Sequence, residues 1–191
     1  MQLKSLFASL MALGFLVSPV FAGEGRARID VVTNAGKLDF VQPENKKHKI
    51  THPNWIKNEA QKAQNVTSDL TVSDEKWTEI TLQVTPSEDG NLVIFLRGQW
   101  DKTKRNWTYF DDISIEGAKI KNGGFEKTGN WHFPKSQQVL DESLAHLGKG
   151  AVLVWHNKPA SQTVAVKGGV ALKITAWVKF CKQEDQTPPV K

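Results

Sequence analysis

The chain has 191 residues, of which 39% are hydrophobic, and its 25 basic and 20 acidic residues give a formal net charge of +5. The charged residues are mixed along the whole chain, which argues against a nucleic-acid-binding protein. The only cysteine is Cys181, so no internal disulfide can form and the fold must be held by its core or by a bound ion.

The amino terminus has the pattern of a secretory signal peptide. Lys4 precedes an apolar run over residues 6–17, and small residues ending at Ala22 are typical of a cleavage site. The run is shorter than the roughly 20 residues of a membrane span. We therefore expect a signal peptide at residues 1–22 and a secreted or periplasmic mature chain with no membrane insertion. A retained membrane anchor is the alternative.

Short apolar and polar alternations separated by turn residues predict an all-β chain. The predicted strands cover residues 27–33, 37–41, 78–84, 91–96, 108–115, 151–156, 161–166 and 171–180. Weak helical patterns cover 54–64 and 141–147, and the basic run 46–49 is interpreted as a solvated loop, with a polyanion contact as the alternative. Strands at this spacing indicate a β-sandwich or barrel, in a single domain over residues 23–181. A polar tail at 182–191 is predicted to be disordered.

Strand alternation also predicts which side chains face the core. Three strands each have one apolar face, and the predicted inward residues are Ile80, Leu82, Val84, Leu92, Ile94, Leu96, Leu172, Ile174, Ala176, Val178 and Phe180. Trp177 falls on the opposite, polar face of its strand. Such a mixed face is a candidate binding surface.

Two sets of motifs resemble the two halves of carbohydrate-binding modules of families 4, 9 and 22. The amino-terminal half is similar to Asn-Gly-Gly-Phe-Glu at 122–126, Gly-Asn-Trp at 129–131, Leu-Gly-Lys-Gly-Ala at 147–151, residues 162–168, and Ile-Thr-Ala-Trp-Val-Lys at 174–179. The carboxy-terminal half is similar to residues 77–84, residues 90–98, and Tyr-Phe-Asp-Asp-Ile-Ser-Ile at 109–115. The resemblance implies a galactose-binding-like jelly roll that binds a polysaccharide or glycan.

The two halves stand in reversed order relative to that family. Either one jelly roll is circularly permuted, or the tail of one module is joined to the head of another. Half a sandwich would leave an apolar sheet face uncovered, so we favour one permuted domain. On this interpretation residues 27–33 follow the path that would continue after Phe180.

The resemblance also implies a structural calcium ion. The matching positions are the carboxylates of Glu126 and of Asp111 or Asp112, with backbone carbonyls near Asn122 and Lys149. Hard oxygen ligands suit Ca²⁺, and an ion bound only by the folded state would stabilise a chain without disulfides. The alternative is that Asp111 and Asp112 cap a strand end in solvent.

Sugar sites combine an aromatic platform with planar hydrogen-bonding side chains. Trp100 and Trp107 flank a polar loop and are the leading platforms, followed by Trp155 and Trp177. The polar neighbours that complete the predicted ligand-binding set are Arg97, Gln99 and Tyr109. Trp77 and Trp131 match family positions that pack in the sandwich.

The sequence contains no nucleophile elbow, phosphate-binding loop or zinc-protease motif. We therefore predict a non-catalytic carbohydrate-binding module. The alternative is a structural or protein-interaction domain of an envelope or extracellular assembly, since fold does not settle function. An enzyme is the third hypothesis.

Overall fold

The computed structural model describes residues 23–102 and 105–182. Strands β1 to β11 span, in chain order, Glu24–Thr33, Leu38–Val41, His48–Thr51, Asn65–Ser73, Thr78–Pro86, Gly90–Gly98, Thr108–Glu116, Gln138–Leu140, Gly150–Val154, Ala160–Val166 and Leu172–Phe180. A short helix, α1, spans Glu59–Lys62, and a 3₁₀ turn spans Lys135–Gln137. The predicted signal peptide at 1–22 and nearly all of the predicted tail lie outside the described residues.

The strands form two antiparallel sheets, as the all-β prediction requires. The five-stranded sheet has the order β10-β6-β1-β4-β3, and the six-stranded sheet has the order β2-β5-β11-β7-β9-β8. Their apolar faces pack on each other as a jelly-roll-like β-sandwich, which confirms the predicted fold class. None of the helices in the described residues is long and apolar enough to cross a membrane.

The predicted core faces are confirmed. Every inward residue of β5, β6 and β11 named from the sequence is at most 1% exposed. Alternation over seven to nine residues is a local signal that packing against a second sheet reinforces, which explains why it predicts burial well. Trp131, at 7% exposed, also packs in the main core.

Several elements differ from the sequence prediction. The helical pattern at 54–64 yields only the four-residue α1, because Asn58 caps its first turn through Oδ1 and strand β4 begins at Asn65. The 141–147 segment forms turns instead of a helix. Strands β3, β4 and β8 were not predicted. The basic run 46–49 is only partly loop, since its second half begins β3.

The two motif halves interleave in shared sheets, as expected for a single sandwich. Strand β11 of the second half lies between β5 and β7 of the first half, and β10 pairs with β6. Strand β1 also contacts β11 across the sandwich, with Gly25 against Phe180. The sandwich therefore brings the two ends of its strand sequence together.

Candidate functional site

The outward face of the five-stranded sheet carries polar side chains in register. One row crosses β6, β1, β4 and β3 and consists of Arg97, Arg28, Asp69 and Lys49. The next row consists of Phe95, Asp30, Thr67 and Thr51. Strand alternation places both rows on one face, opposite the core residues of the same strands. This face is the floor of the candidate site.

Asp30 is the centre of the polar network. Its Oδ1 accepts hydrogen bonds from Thr67 Oγ1 at 2.8 Å and from Arg28 Nη2 at 3.2 Å. Its Oδ2 lies 3.0 Å from Arg97 Nε. The side chain of Asp30 is only 10% exposed. One largely buried carboxylate is therefore shared by two guanidinium groups.

Two exposed indoles stand over this floor. Trp55 comes from the segment between β3 and α1 and is 57% exposed, and Trp100 follows β6 and is 54% exposed. Both line a cavity of about 500 Å³ together with Arg28, Arg97 and His156. The Trp55 ring also covers Arg28, whose Cζ lies 5.2 Å from the ring centroid. Flat apolar surfaces thus lie beside convergent hydrogen-bond donors.

The cavity continues along the sheet. An adjoining hollow of about 410 Å³ lies between Trp55 and Lys49, and a smaller one of about 190 Å³ reaches Phe95. Trp55 lines all three. Together they form one groove along the sheet, hereafter the Trp55 groove.

The groove has a positive electrostatic environment. Burial lowers the pKa of Arg97, and the neighbouring Arg28 lowers it further, although Asp30 opposes both effects. Burial, followed by the charges of Arg97 and Arg28, lowers the pKa of His156. Burial is the largest cause of both shifts, and the nearby guanidinium charges add to it, because a cationic form is disfavoured in a site that is both desolvated and positive.

The structure brings only part of the predicted ligand-binding set into this groove. Trp100 and Arg97 line the groove. Gln99 stands between these two residues in the sequence, and its side chain is half-buried. Trp107 is 1% exposed and Tyr109 is 7% exposed, so both belong to a second apolar cluster and present no face to a ligand.

Trp155 and Trp177 lie elsewhere. Trp155 is half-buried against Trp107, with ring centroids 6.0 Å apart, and its neighbour His156 is the residue that reaches the groove. Trp177 lies on the outer face of the six-stranded sheet, where it stacks on the ring of His146 at 4.0 Å. The structure therefore separates the predicted platforms: Trp100 alone lies in the groove, Trp107 and Trp155 pack on each other, and Trp177 lies on the outer face of the other sheet.

Comparisons with known proteins add no family assignment. No protein-family model, curated protein or solved structure matches this chain. The similarity to carbohydrate-binding modules therefore stands on the motifs alone, and any function has to be argued from the residues of the Trp55 groove.

The predicted calcium residues lie at the edge of the other sheet. A β-bulge in β7, where Asp112 has a φ of 47°, disturbs the register with β11. Asp111 is fully buried, and burial raises its pKa to about 6 despite hydrogen bonds from the amides of Asp112, His146 and Leu147. No lysine or arginine among the described residues pairs with it. Asp111 is thus not a solvated strand cap.

The other predicted ligands surround Gly124. A Cβ built there would lie 3.6 Å from Asp112 Oδ1, 3.9 Å from Asp111 Oδ1 and 3.8 Å from Glu126 Cγ. Glu126 Oε1 accepts hydrogen bonds from the amides of Lys149 and Gly150.

The donor set fits a hard cation only in part. Its carboxylates have the right charge and chemistry, but the carbonyl of Asn122 already accepts from Phe125 N and Trp131 Nε1 and has no lone pair left for a metal. In residues 23–102 and 105–182, no three histidine, cysteine or acidic side chains converge well enough to hold an ion.

Sequence reasoning missed Trp55, Arg28, Asp30 and His156. The Arg-Ala-Arg-Ile-Asp alternation at residues 26–30 was a usable signal, because it places three charged side chains on one face of β1. Trp55 was hidden inside the segment interpreted as helical. Its position over Arg28 depends on the pairing of β1 with β4 and β3, which no local pattern shows.

Proposed function

We propose that this chain is a non-catalytic carbohydrate-binding module, and that a glycan lies along the Trp55 groove. The observation that carries the proposal is the pair of exposed indoles, Trp55 and Trp100, lining one cavity with Arg28 and Arg97. The apolar face of a pyranose packs on an indole, and its hydroxyls suit guanidinium and amide donors.

Export and the permuted domain order belong to the same proposal. The motif similarity to family 4, 9 and 22 modules, the interleaved halves and the contact of Gly25 with Phe180 support a permuted jelly roll. The apolar run at 6–17 supports secretion or periplasmic location.

A structural calcium ion near Asp111 and Glu126 is proposed on the buried, unpaired charge of Asp111. When bound, it would neutralise that charge and join the β7 bulge to the 146–150 segment.

The proposal is tested by affinity electrophoresis against a broad glycan panel. Trp55→Ala and Trp100→Ala should each abolish or strongly reduce retention of any bound glycan. Trp177→Ala is the matched control, because Trp177 lies on the opposite face of the sandwich. Retention lost only in Trp177→Ala would move the site to that face. No retention of any glycan by the native chain would contradict the proposal.

The alternative is a protein-interaction domain. The six-stranded sheet favours it at one edge, where Leu140 of β8 is 61% exposed and Leu147 of the following segment is 63% exposed. Exposed apolar residues beside an edge strand are a common docking surface. Leu140→Asp should then abolish binding to a purified partner and leave glycan retention unchanged.

A further inference from the structure

The floor of the Trp55 groove contains an unusual pair of like charges. Arg28 on β1 and Arg97 on β6 are direct cross-strand neighbours. Like charges in this position destabilise a sheet. They also lie in a partly enclosed site, since their side chains are only 13% and 25% exposed.

The charges of the groove do not balance. The lining residues include four cations, Arg26, Arg28, Lys49 and Arg97, and two carboxylates, Asp30 and Asp69, which leaves 4 − 2, or +2. Arg26 pairs with Asp69 at 2.8 Å. Arg28 and Arg97 then share Asp30 alone, so one guanidinium charge beneath Trp55 has no counter-charge within the groove.

Hydrogen bonding leaves a donor unmatched at the same place. Arg28 uses Nη2 on Asp30, but its Nε is buried and has no hydrogen-bond partner among the described residues. The Nδ1 of His156, on the cavity wall, is also buried and unpartnered within the described part of the chain, and it is a further donor only in the tautomer that carries its proton on Nδ1. A buried donor without an acceptor costs free energy that a bound oxyanion would recover.

We infer that the Trp55 groove selects an anionic glycan, with the carboxylate or sulfate group of one sugar unit bound between Arg28 and Arg97 and the neighbouring rings packed on Trp55 and Trp100. The inference rests on the proposed function, because it assigns the ligand class of that same groove. Guanidinium groups bind two oxygens of a carboxylate or of a tetrahedral oxyanion through paired hydrogen bonds. The flanking indoles distinguish such a ligand from a simple polyanion, which needs no apolar platform.

The test compares matched neutral and anionic polysaccharides. Polygalacturonate with its methyl ester tests the carboxylate, and dextran sulfate with dextran tests the sulfate. An oligonucleotide supplies anions without pyranose packing surfaces. The native chain should retain at least one anionic glycan more tightly than its neutral counterpart and more tightly than the oligonucleotide. Its affinity should fall as salt rises, because screening weakens charge pairing.

Variants separate the anion site from the platforms. Arg28→Gln and Arg97→Gln should each weaken binding of the anionic glycan about 10-fold or more and reduce its salt dependence. Lys173→Gln is the charge control, since Lys173 pairs with Glu116 on the opposite sheet. It makes the same change in net charge and should leave binding unaltered. Far-ultraviolet circular dichroism checks that each variant is folded.

A measurement with small anions makes the two proposals separable. Glucuronate compared with glucose, and sulfate compared with chloride at equal ionic strength, should raise the melting temperature of the native chain more than that of Arg97→Gln. Tryptophan-dependent retention of neutral and anionic glycans with equal affinity would overturn the anionic selectivity and keep the glycan site. Anion stabilisation without any glycan retention would instead overturn the glycan site. Preference for the oligonucleotide would overturn both.

Discussion

The ring of Phe180 lies over Gly25. A Cβ built on Gly25 would come within 2.2 Å of Phe180 Cδ2. The last residue of β11 therefore contacts the beginning of β1 across the sandwich, and the amide of Gly23 is held nearby by Asp74. A short connection could join these ends without crossing the fold.

Circular permutation should restore the order of the two motif halves without loss of fold. A chain that starts at Lys119, joins Cys181 to Gly23 through a flexible linker and ends at Ala118 keeps every strand intact. We expect cooperative unfolding and unchanged glycan retention, because loop closure costs little and no pairing is removed. Thermal denaturation checks the first and affinity electrophoresis the second. A permuted chain that fails to fold would argue against the single-module interpretation.

The contact of Gly25 with Phe180 predicts that residue 25 cannot carry a side chain unless the Phe180 ring moves. Gly25→Ala should reduce the free energy of unfolding by about 1–3 kcal/mol, since overpacking forces the ring to move. In a Phe180→Ala background the same change should cost much less, because the clash is gone. Urea denaturation of the four chains of this double-mutant cycle gives the coupling energy. Equal costs in both backgrounds would show that the ring does not limit residue 25.

Loss of the shared carboxylate should expose the repulsion between Arg28 and Arg97. Asp30→Asn removes the counter-charge and should cost about 2 kcal/mol of stability. Adding Arg97→Gln to Asp30→Asn should recover part of that loss. Asp69→Asn is the control, because its pair with Arg26 is more exposed and should contribute less than about 1 kcal/mol. Additive effects of Asp30→Asn and Arg97→Gln in denaturant unfolding would contradict this coupling.

His48 should make stability depend on pH. It is 7% exposed, its Nε2 lies 2.6 Å from Ser68 Oγ, and burial lowers its pKa below 6.5, although Asp69 opposes the shift. The folded state then binds fewer protons than the unfolded state between the lowered pKa and 6.5, so stability rises with pH through that window and is constant above it.

The comparison of His48→Gln with the native chain isolates this effect. Glutamine can still hydrogen-bond to Ser68 but does not titrate. Melting temperatures between about pH 4.5 and about pH 8 should therefore rise less steeply for the variant in the acid range. His52→Gln controls for loss of a nearby imidazole that contacts the carbonyl of Asn65. Parallel curves for His48→Gln and the native chain would show that His48 does not contribute.

Chelation tests the calcium prediction. Removal of calcium should lower the melting temperature, because an ion that binds only the folded state stabilises it. Glu126→Ala should abolish the difference between calcium and chelator. Asp89→Ala is the matched control, since Asp89 is also an exposed carboxylate that accepts a backbone amide hydrogen bond. The readout is the calcium-dependent difference, because Glu126→Ala also removes two amide contacts. An unchanged melting temperature under chelator would end the proposal.

The sequence predicted the sandwich because its signal is local. Alternation in β5, β6 and β11 requires only neighbouring residues to reveal a buried face. Strand β4 was missed because its alternation is weak, with Ser68 among its inward residues and a helical pattern directly before it. Strand β3 was hidden by the basic run, since Lys49 points outward from an edge strand.

The site was less predictable because it depends on pairing between distant segments. Trp100 and Arg97 were found because they adjoin a recognisable strand. Arg28 meets Arg97 only through the register of β1 with β6. The burial of Trp107 likewise depends on a cluster with Leu153 of β9 and with Cys181, which directly follows β11. The sequence therefore predicts which residue types are present, but which of them lie on one surface depends on the pairing of distant strands.

The environment of Cys181 has a practical consequence. Its side chain is 1% exposed, and Sγ lies 3.7 Å from the hydroxyl of Tyr109. A thiol that reagents cannot reach reacts only when the surrounding structure opens. The rate of its labelling by a maleimide therefore reports the opening of the carboxy-terminal strand, with no engineered probe. The same enclosure protects the folded chain from cross-linking to a second copy in an oxidising medium.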